Sequence, residues 1–220
     1  VLVLLDNAPT GLLPGKDYTA LVSSDNFGLG RIAAEGLSAH MPTGAEVGVL
    51  GFAADFFATN EREIAFTKWL QVNRPDVTPR VRRFARIEDA AASADDLLSA
   101  NPDLAGLFIV WDTPALAAAT RLAERGATMP MATVDLGEAA AIALAQGDSF
   151  CCIAAQQPFL QGIAAAQTVI LCLLGRPVPA WIALPGIGVT RDNVVESFQT
   201  IWRQPAPREV LRVLGLSRGT

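Results

Sequence analysis

Short apolar runs that end in a polar residue recur along this chain and alternate with segments of helical periodicity. The runs VLVLL, LAGLFIVW and MATV are followed by Asp6, Asp112 and Asp135, and the run CCIAA is followed by Gln156. Apolar runs of this length, separated by amphipathic segments, are typical of buried strands in a parallel sheet. The pattern therefore predicts an α/β fold built from doubly wound parallel sheets.

The polar strand ends also indicate where a ligand would bind. In an open parallel sheet, ligands occupy the crevice outside the carboxyl ends of the strands. Repeated carboxylate and amide side chains at those ends stand where a small molecule would be held. The pattern indicates a binding site more clearly than a catalytic one.

The intervening segments complete the alternation. Further strands are predicted at 19–24, 47–52 and 80–84, with a less regular one at 183–190. Helices are predicted at 27–39, 60–72, 87–99, 113–125, 138–146 and 158–174, with a last one around 194–202. We expect Asp25 or Asn26 to cap the first of these helices and Asp192 or Thr190 to cap the last.

Composition and charge argue against a nucleic-acid or membrane function. The chain has 220 residues and a net charge of −5. Its arginines are scattered apart from Arg80, Arg82, Arg83 and Arg86, a cluster that we expect on a solvated edge. A membrane-spanning helix needs about 18 or more consecutive apolar residues. The longest candidate, 163–174, is shorter than that, so no span is predicted.

Metal and nucleophile chemistry also lack support. The single histidine, His40, lies beside a predicted helix end, where we expect a surface or capping role. The cysteines Cys151, Cys152 and Cys172 are expected to be buried, inert thiols. Neither a zinc ligand set nor a nucleophile with a histidine base can be identified. Paired strand-end carboxylates would be compatible with hydrolysis but carry no further signature. We therefore predict a binding protein without a cofactor rather than an enzyme.

One glycine motif formally matches a dinucleotide-binding fingerprint. Residues 28–33 read G-L-G-R-I-A, after a predicted strand and at the start of a helix. However, Asp25 and Asn26 occupy the turn that the first glycine would make in such a motif. The following strand also stops at Phe52, with no acidic residue at its end. A nucleotide-binding enzyme domain remains an alternative, but a weaker one.

Five segments, in order along the chain, together resemble one family. They are SSDNFGLGRIAAEGL, NEREIAFTKWL, ANPDLAGLFIVWDTPALAAATRL, TVDLGEAAAIALAQGDSFCCIAAQQPFLQG and VTRDNV. The set is similar to the periplasmic sugar-binding proteins of the ribose- and galactose-binding type, the substrate-binding components of ABC importers. The resemblance implies a type I periplasmic-binding-protein fold, whose two lobes hold a sugar or polyol for a membrane permease. It also implies a periplasmic location after removal of a signal peptide.

The resemblance further implies that the chain is divided unequally between the lobes. Residues 25–156 and 186–220 would form a nearly complete C-terminal lobe. Residues 1–24 and 157–185 would form the remnant of the N-terminal lobe, most of which would be absent.

A chain divided in this way would leave apolar surface uncovered. Few predicted helices remain to cover the VLVLL strand. We therefore expect Leu2, Leu4 and the apolar face of the 158–174 helix to be exposed. Exposed apolar patches and unpaired strand edges favour association, so we expect this chain to self-associate.

The resemblance also implies a set of ligand-binding residues. Asp6 matches a hinge-side aspartate that binds sugar hydroxyls, and Ser24 falls at a serine of the crossover between lobes. Arg62 matches an arginine that donates a fork of hydrogen bonds. Asp135 and Gln156 match the carboxylate and amide of the second lobe. Such groups can pair with the hydroxyls of a polyol, each of which both donates and accepts.

Other positions in the predicted ligand-binding set are less clearly matched. Phe52 and Trp111 could provide apolar faces for the C–H side of a sugar, but the family has asparagine where Trp111 stands, and Trp111 could instead be a core residue. Asp112 could contact the ligand or cap the helix that follows it, and Asp135 could likewise only cap a turn. Two further departures are Asn7, where the family often has arginine, and Glu63, where it has glycine.

One other class shares the implied fold. The effector-binding domain of a lactose-repressor-type transcription regulator would look similar once separated from its DNA-binding head. The C-terminal segment VTRDNVVESFQTIWRQPAP favours the transport protein, because those regulators usually end soon after a short strand.

Overall fold

The computed structural model describes residues 1–216, and strand and helix alternate along almost all of them. The strands are β1 Val3–Leu5, β2 Ala20–Ser24, β3 Glu46–Phe52, β4 Thr78–Phe84, β5 Leu104–Ile109, β6 Met131–Val134, β7 Phe150–Ala155, β8 Trp181–Leu184 and β9 Ile187–Val189. The helices are α1 Asn26–Ser38, α2 Phe57–Asn73, α3 Ala90–Ala100, α4 Asp112–Glu124, α5 Glu138–Gln146, α6 Pro158–Leu173, α7 Val194–Trp202 and α8 Arg208–Val213.

The strands form two sheets. Six of them lie in the order β4-β3-β5-β6-β7-β9, and all their pairings are parallel except the antiparallel pairing of β7 with β9. The other three form a parallel sheet in the order β1-β2-β8. The predicted α/β class with parallel sheets is confirmed.

Helices cover the six-stranded sheet on both faces. A Cβ on Gly106 of β5 would lie 3.2 Å from Leu37 of α1, whereas one on Gly48 of β3 would lie 3.1 Å from Leu97 of α3. Gly48 pairs with Leu107, the neighbour of Gly106, and successive strand residues face opposite sides of a sheet. α1 and α3 therefore cover opposite faces, which is the doubly wound arrangement.

The segment 183–190 differs from its prediction as one irregular strand. Leu184 ends β8, which pairs with β2, and Ile187 begins β9, which pairs with β7. Pro185 and Gly186 separate them because proline has no N–H to continue a ladder. Gly186 also packs closely on α1, where a Cβ would lie 2.4 Å from Leu29. The chain therefore passes from one sheet to the other at this point.

Three segments connect the two sheets. They lie between β2 and α1, between β7 and α6, and between β8 and β9. We retain as a proposal the division into lobes, 1–24 with 157–185 and 25–156 with 186–220.

Smaller differences concern the helix ends. Asp25 caps α1 by accepting a hydrogen bond from the Gly28 N–H at 2.8 Å, so Asn26 is the first helical residue. The cap position of α7 is Asn193, not Asp192 or Thr190. The predicted helix 87–99 begins as a separate 3₁₀ turn, Ile87–Asp89, and α8 was not predicted.

The two sheets differ in how well they are covered. The six-stranded sheet has a continuous apolar core, in which Phe66 and Phe108 stack with ring centres 4.2 Å apart. Around the three-stranded sheet, Leu2 is exposed as predicted, whereas Leu4 is partly buried, so its predicted exposure was wrong. On α6 and just after it, Leu173 and Leu174 are 72% and 69% exposed.

The arginine cluster lies on the surface, paired with acidic side chains. Arg80 pairs with Glu46, Arg82 with Asp96, Arg83 with Glu63 and Arg86 with Glu88. Screening by solvent makes exposed pairs of this kind weak, which agrees with the predicted solvated edge. Within residues 1–216, no helix is long and apolar enough to cross a membrane.

The cysteines are free thiols with different exposure. Cys152 is buried, but Cys151 and Cys172 are only partly buried, so the expectation of three buried thiols was wrong for two of them. Burial raises the pKa of Cys151 to about 11 and that of Cys152 to about 12. Both thiols are therefore poor nucleophiles at neutral pH.

Candidate ligand-binding site

Polar residues from both sheets meet at the carboxyl ends of the strands. The Asp6 N–H donates to the Val22 carbonyl at 2.8 Å, and the Asp135 N–H donates to the Ala154 carbonyl at 3.1 Å. Each aspartate thus continues its strand by one residue and then leaves it in a left-handed conformation, with φ of 69° for Asp6 and 74° for Asp135. Aspartate is among the few side chains that adopt this conformation readily.

Arg62 of α2 lies beneath this edge and is only 3% exposed. Its Nε donates to Asn26 Oδ1 at 2.9 Å, and its Nη1 donates to the Val110 carbonyl at 3.0 Å. The same Nη1 lies 3.4 Å from Asp135 Oδ2. The neutral partners hold the guanidinium in place, and Asp135 is the carboxylate that balances its charge.

The glycine motif at 28–33 accounts for the position of Arg62 rather than for nucleotide binding. A Cβ on Gly30 would lie 2.3 Å from the Arg62 carbonyl oxygen and 2.9 Å from Ala65 Cβ. Only glycine lets α1 and α2 approach this closely. Gly28 lies in the first turn of α1 and donates to its cap Asp25, so neither glycine forms a strand-to-helix phosphate loop.

Gln156 connects Asp135 to the segments that join the sheets. Its Nε2 donates to Asp135 Oδ1 at 2.5 Å. Its Oε1 lies 2.8 Å from Ser24 Oγ and 3.1 Å from Gln161 Nε2. Ser24 is fully buried and lines neither cavity, so this predicted ligand contact is connected to the cleft through the side chains that it hydrogen-bonds, Gln156 and Gln161.

Aromatic rings form one wall of the cleft. Trp111 meets Phe52 edge to face, with ring centres 5.3 Å apart, and lies at the same distance from Phe84. Phe56, which precedes α2, adds a partly exposed ring. Trp111 thus packs against the aromatic core and also lines the cleft. Its place in the core is observed, and its contact with a ligand stays a prediction.

Two adjacent cavities open at this edge, of about 290 and 320 Å³. Both are near the lower limit of the roughly 300–1,000 Å³ typical of ligand pockets, which suits a small ligand. Asp6, Asp135 and Gln156 line both of them. The first is completed by Asn7, Phe52, Phe56, Ala58, Thr59, Arg62, Ile87 and Trp111, and the second by Asp112, Leu136, Gly137, Pro158, Gln161, Ile201 and Trp202.

A larger cavity, of about 620 Å³, lies elsewhere. It is lined by His40, Pro130, Phe150 and Arg191 among others, at the amino ends of β6 and β7. Ligands of parallel sheets bind at the carboxyl ends of strands, so the smaller pair of cavities is the candidate site.

Burial leaves the carboxylates of the site short of partners. The pKa of Asp6 is raised chiefly by burial and further by Asp135, against the lowering effect of Arg62 and a hydrogen bond from Asn7. Asp6 Oδ2 accepts that bond from Asn7 Nδ2 at 2.8 Å, whereas Oδ1 is buried and accepts no hydrogen bond from residues 1–216.

Asp112 does not cap its own helix. It is the first residue of α4, whose cap position is Trp111. Its Oδ2 accepts a hydrogen bond from the Gly137 N–H, just before α5, at 3.0 Å. The pKa of Asp112 is raised by burial and by Asp135. Asp112 lines the second cavity. Of the two alternatives that the sequence left open, capping of its own helix is not what the structure shows.

The structure thus brings most of the predicted residues together. Those that line the first cavity are Asp6, Phe52, Arg62, Trp111, Asp135 and Gln156. The sequence analysis did not predict Asn26 or Gln161, which hold Arg62 and Gln156, because a buried amide partner leaves no local signal. Asn7 was recognised only as a departure, although its position next to Asp6 at a strand end could have identified it.

Comparison with known proteins agrees with this arrangement. Residues 1–177 match the model of a family described as a periplasmic binding protein domain. The chain belongs to this family. No match was found among curated proteins.

Solved structures show the same fold. An ABC-transporter solute-binding protein from Agrobacterium vitis, bound with α-D-tagatopyranose, has a TM-score of 0.80 and 21% identity. The comparison covers 93% of this chain and 71% of that one. A solute-binding protein from Mycobacterium smegmatis with bound glycerol has a TM-score of 0.76 and 25% identity, over 87% of this chain and 66% of that one. The predicted type I periplasmic-binding-protein fold is confirmed, and the chain spans only part of it.

Proposed function

We propose that this protein captures a sugar or polyol between two lobes and delivers it to an ABC importer. The observation that carries the proposal is the meeting of two groups of residues around one aromatic-walled cavity. Asp6 comes from the end of a strand in the three-stranded sheet, whereas Asp135 and Gln156 follow strands of the six-stranded sheet and Arg62 lies on α2 beside it. A ligand held there would contact both sheets at once. That is the geometry by which a two-lobed binding protein closes on its ligand.

The chemistry of the cavity matches a small polyhydroxy compound. Each hydroxyl of a sugar both donates and accepts a hydrogen bond, so it can pair with carboxylate oxygens and with amide or guanidinium N–H groups. Asp6 supplies carboxylate acceptors, and Gln156 and Arg62 supply donors, at the lining of this cavity. Trp111 and Phe52 offer faces for the apolar C–H side of a sugar ring.

Family membership supports a proposal for location and partner. Several similar solved structures are described as ABC-transporter solute-binding proteins. Another, from Agrobacterium radiobacter, is described as a carbohydrate-transporter solute-binding protein in complex with D-arabinose. We therefore propose a periplasmic location, a membrane permease as partner and no catalytic activity.

A thermal-shift screen of the full-length protein tests the proposal. The panel contains pentoses, hexoses and polyols, with a sugar phosphate and NAD as matched anionic controls. A ligand at 100 times its Kd stabilises the folded state by about 2.7 kcal/mol, which is readily visible as a rise in Tm. We expect at least one neutral sugar or polyol to raise the Tm. A rise with NAD alone would instead support the nucleotide-binding alternative.

A further inference from the structure

Gln161 is a largely buried amide at the edge of the second cavity, and it contacts two residues beside the first one. It lies in the second turn of α6, is 5% exposed, and belongs to a helix that packs on β1 and β2. Its Nε2 is 2.6 Å from Ser24 Oγ and 3.1 Å from Gln156 Oε1. It therefore contacts the end of β2 and the β7–α6 segment, at two of the three connections between the sheets.

The hydrogen-bond polarity of this cluster has one consistent solution. The Asp135 carboxylate only accepts, so Gln156 must present its N–H₂ to it. Gln156 Oε1 then faces Ser24 and Gln161, both of which must donate to it. The Gln161 amide donates two hydrogen bonds, one to Ser24 Oγ and one to Gln156 Oε1. The Ser24 hydroxyl in turn donates a hydrogen bond to Gln156 Oε1.

We propose that Gln161 is a positioning residue that, with Ser24, holds the Gln156 amide in the orientation that Asp135 selects and so maintains the hydrogen-bond polarity the site offers its ligand. The inference rests on the proposed sugar-binding function. With Gln161 in place, Gln156 faces the cleft with an N–H and its oxygen is occupied. The site then selects a ligand oxygen that accepts a hydrogen bond at this point.

The same cluster continues to the other side of the site. Asn26 Nδ2 donates to the Ser24 carbonyl at 3.3 Å, while Asn26 Oδ1 accepts from Arg62 Nε at 2.9 Å. Arg62 contacts Asp135, and Asp135 contacts Gln156. These hydrogen bonds close a ring through Ser24. A substitution at Gln161 would therefore alter the hydrogen bonding of Gln156, Asp135 and Arg62, and not only the packing of α6.

Substitutions at Gln161 can separate this role from simple packing. Gln161→Met keeps the volume and removes the donor, which leaves Ser24 Oγ and Gln156 Oε1 each one partner short. Gln161→Glu keeps the shape and places an acceptor opposite the Gln156 oxygen. Gln167, exposed on the same helix, provides matched controls as Gln167→Met and Gln167→Glu.

The first test is a double-mutant cycle on ligand affinity in the full-length protein. The ligand is the sugar that gives the largest rise in Tm in the screen. We expect Gln161→Met to weaken binding by about ten-fold, the effect of leaving a buried group unsatisfied. In a Gln156→Met background the same change should alter Kd less than about two-fold. An unchanged Kd, or an equal loss in both backgrounds, would overturn the proposal.

The second test needs no ligand, so it remains decisive if the proposed function fails. The side-chain N–H₂ resonances of Gln156 are assigned by their loss in Gln156→Met. We expect Gln161→Met and Gln161→Glu to shift this pair and speed its exchange with water, while both Gln167 controls leave it unchanged. A Gln156 pair unaffected by Gln161 substitution in a folded protein would overturn the positioning role.

Discussion

Asp6 and Asp135 end strands in different sheets, yet both adopt a left-handed backbone, with φ of 69° and 74°. Residues in this region carry a conformational cost of about 1–3 kcal/mol and cluster at ligand sites. Both aspartates line both cavities of the candidate site. The shared conformation identifies the two strand ends as the paired elements of the site.

Replacing Asp6 should separate stability from binding. Burial raises the pKa of Asp6, so the folded state favours the protonated carboxyl. The stability gained from this is fully present below the unfolded pKa of about 3.8 and is lost as the pH rises through the folded pKa, because the buried group must then ionise. Asp6→Asn tolerates the left-handed backbone and removes the buried charge. We expect it to raise the Tm at pH 7 and to change it little near pH 3.5, while weakening sugar binding. Scanning calorimetry at both pH values measures this.

The control for this experiment is Asp103→Asn, on an exposed residue before β5. It should leave the Tm unchanged at both pH values. A lower Tm of Asp6→Asn at pH 7 would contradict the prediction, because it would mean that the buried Asp6 carboxylate stabilises the fold.

The close contact between α1 and α2 gives a second prediction. Gly30→Ala places a Cβ against the Arg62 carbonyl and should destabilise the protein by about 1–3 kcal/mol, since the helices must separate. Gly162→Ala, in α6 with no atom within 4 Å of its Cβ, should stabilise by about 0.5–1 kcal/mol. Urea unfolding measures both. Equal effects of the two substitutions would contradict the packing role of Gly30.

Tryptophan fluorescence can distinguish the two cavities. Trp111 lines the first and Trp202 the second. If the sugar occupies the first cavity, its binding should change the emission, and Trp111→Phe should remove that change while Trp202→Phe preserves it. Trp69→Phe, on α2 and in neither cavity, is the control. The reverse result for Trp111 and Trp202 would place the ligand in the second cavity.

The exposed apolar surface of α6 predicts association of this chain. Leu173 and Leu174 are strongly exposed beside the three-stranded sheet, and apolar patches of this kind favour contact between copies. We expect a chain of residues 1–220 to form dimers or larger species at tens of micromolar, and Leu173→Glu with Leu174→Glu to prevent this. Val72→Glu, at an exposed position on α2, is the control. Light scattering that shows only monomers of the unsubstituted chain would contradict the prediction.

Much of the fold could be predicted because its signals are local. Apolar strands, amphipathic helices and the prolines and glycines between them specify elements such as α5, which begins and ends where predicted. The resemblance implied a lobe boundary between residues 185 and 186, but local signals alone predicted one irregular strand over 183–190, because either side of such a turn can pair with any available strand edge. Only the long-range partners β2 and β7 decide it.

The site was predictable in position but not in orientation. Strand ends converge by topology, so Asp6, Asp135 and Gln156 could be placed together from the sequence. Ser24 also ends a strand, yet its hydroxyl is buried against Gln156, because side-chain direction depends on partners far away in the chain.

The central claim is tested most directly by titration calorimetry of the full-length protein and its Asp135→Ala variant, using the sugar or polyol selected by the thermal-shift screen. Asp135 is a charged acceptor, and loss of such a hydrogen bond costs about 1.5–3 kcal/mol. We predict binding with one ligand per protein and a Kd weakened by about 10- to 150-fold in Asp135→Ala. An unchanged Kd in the folded variant, or no binding of any sugar or polyol by the folded protein, would contradict the account.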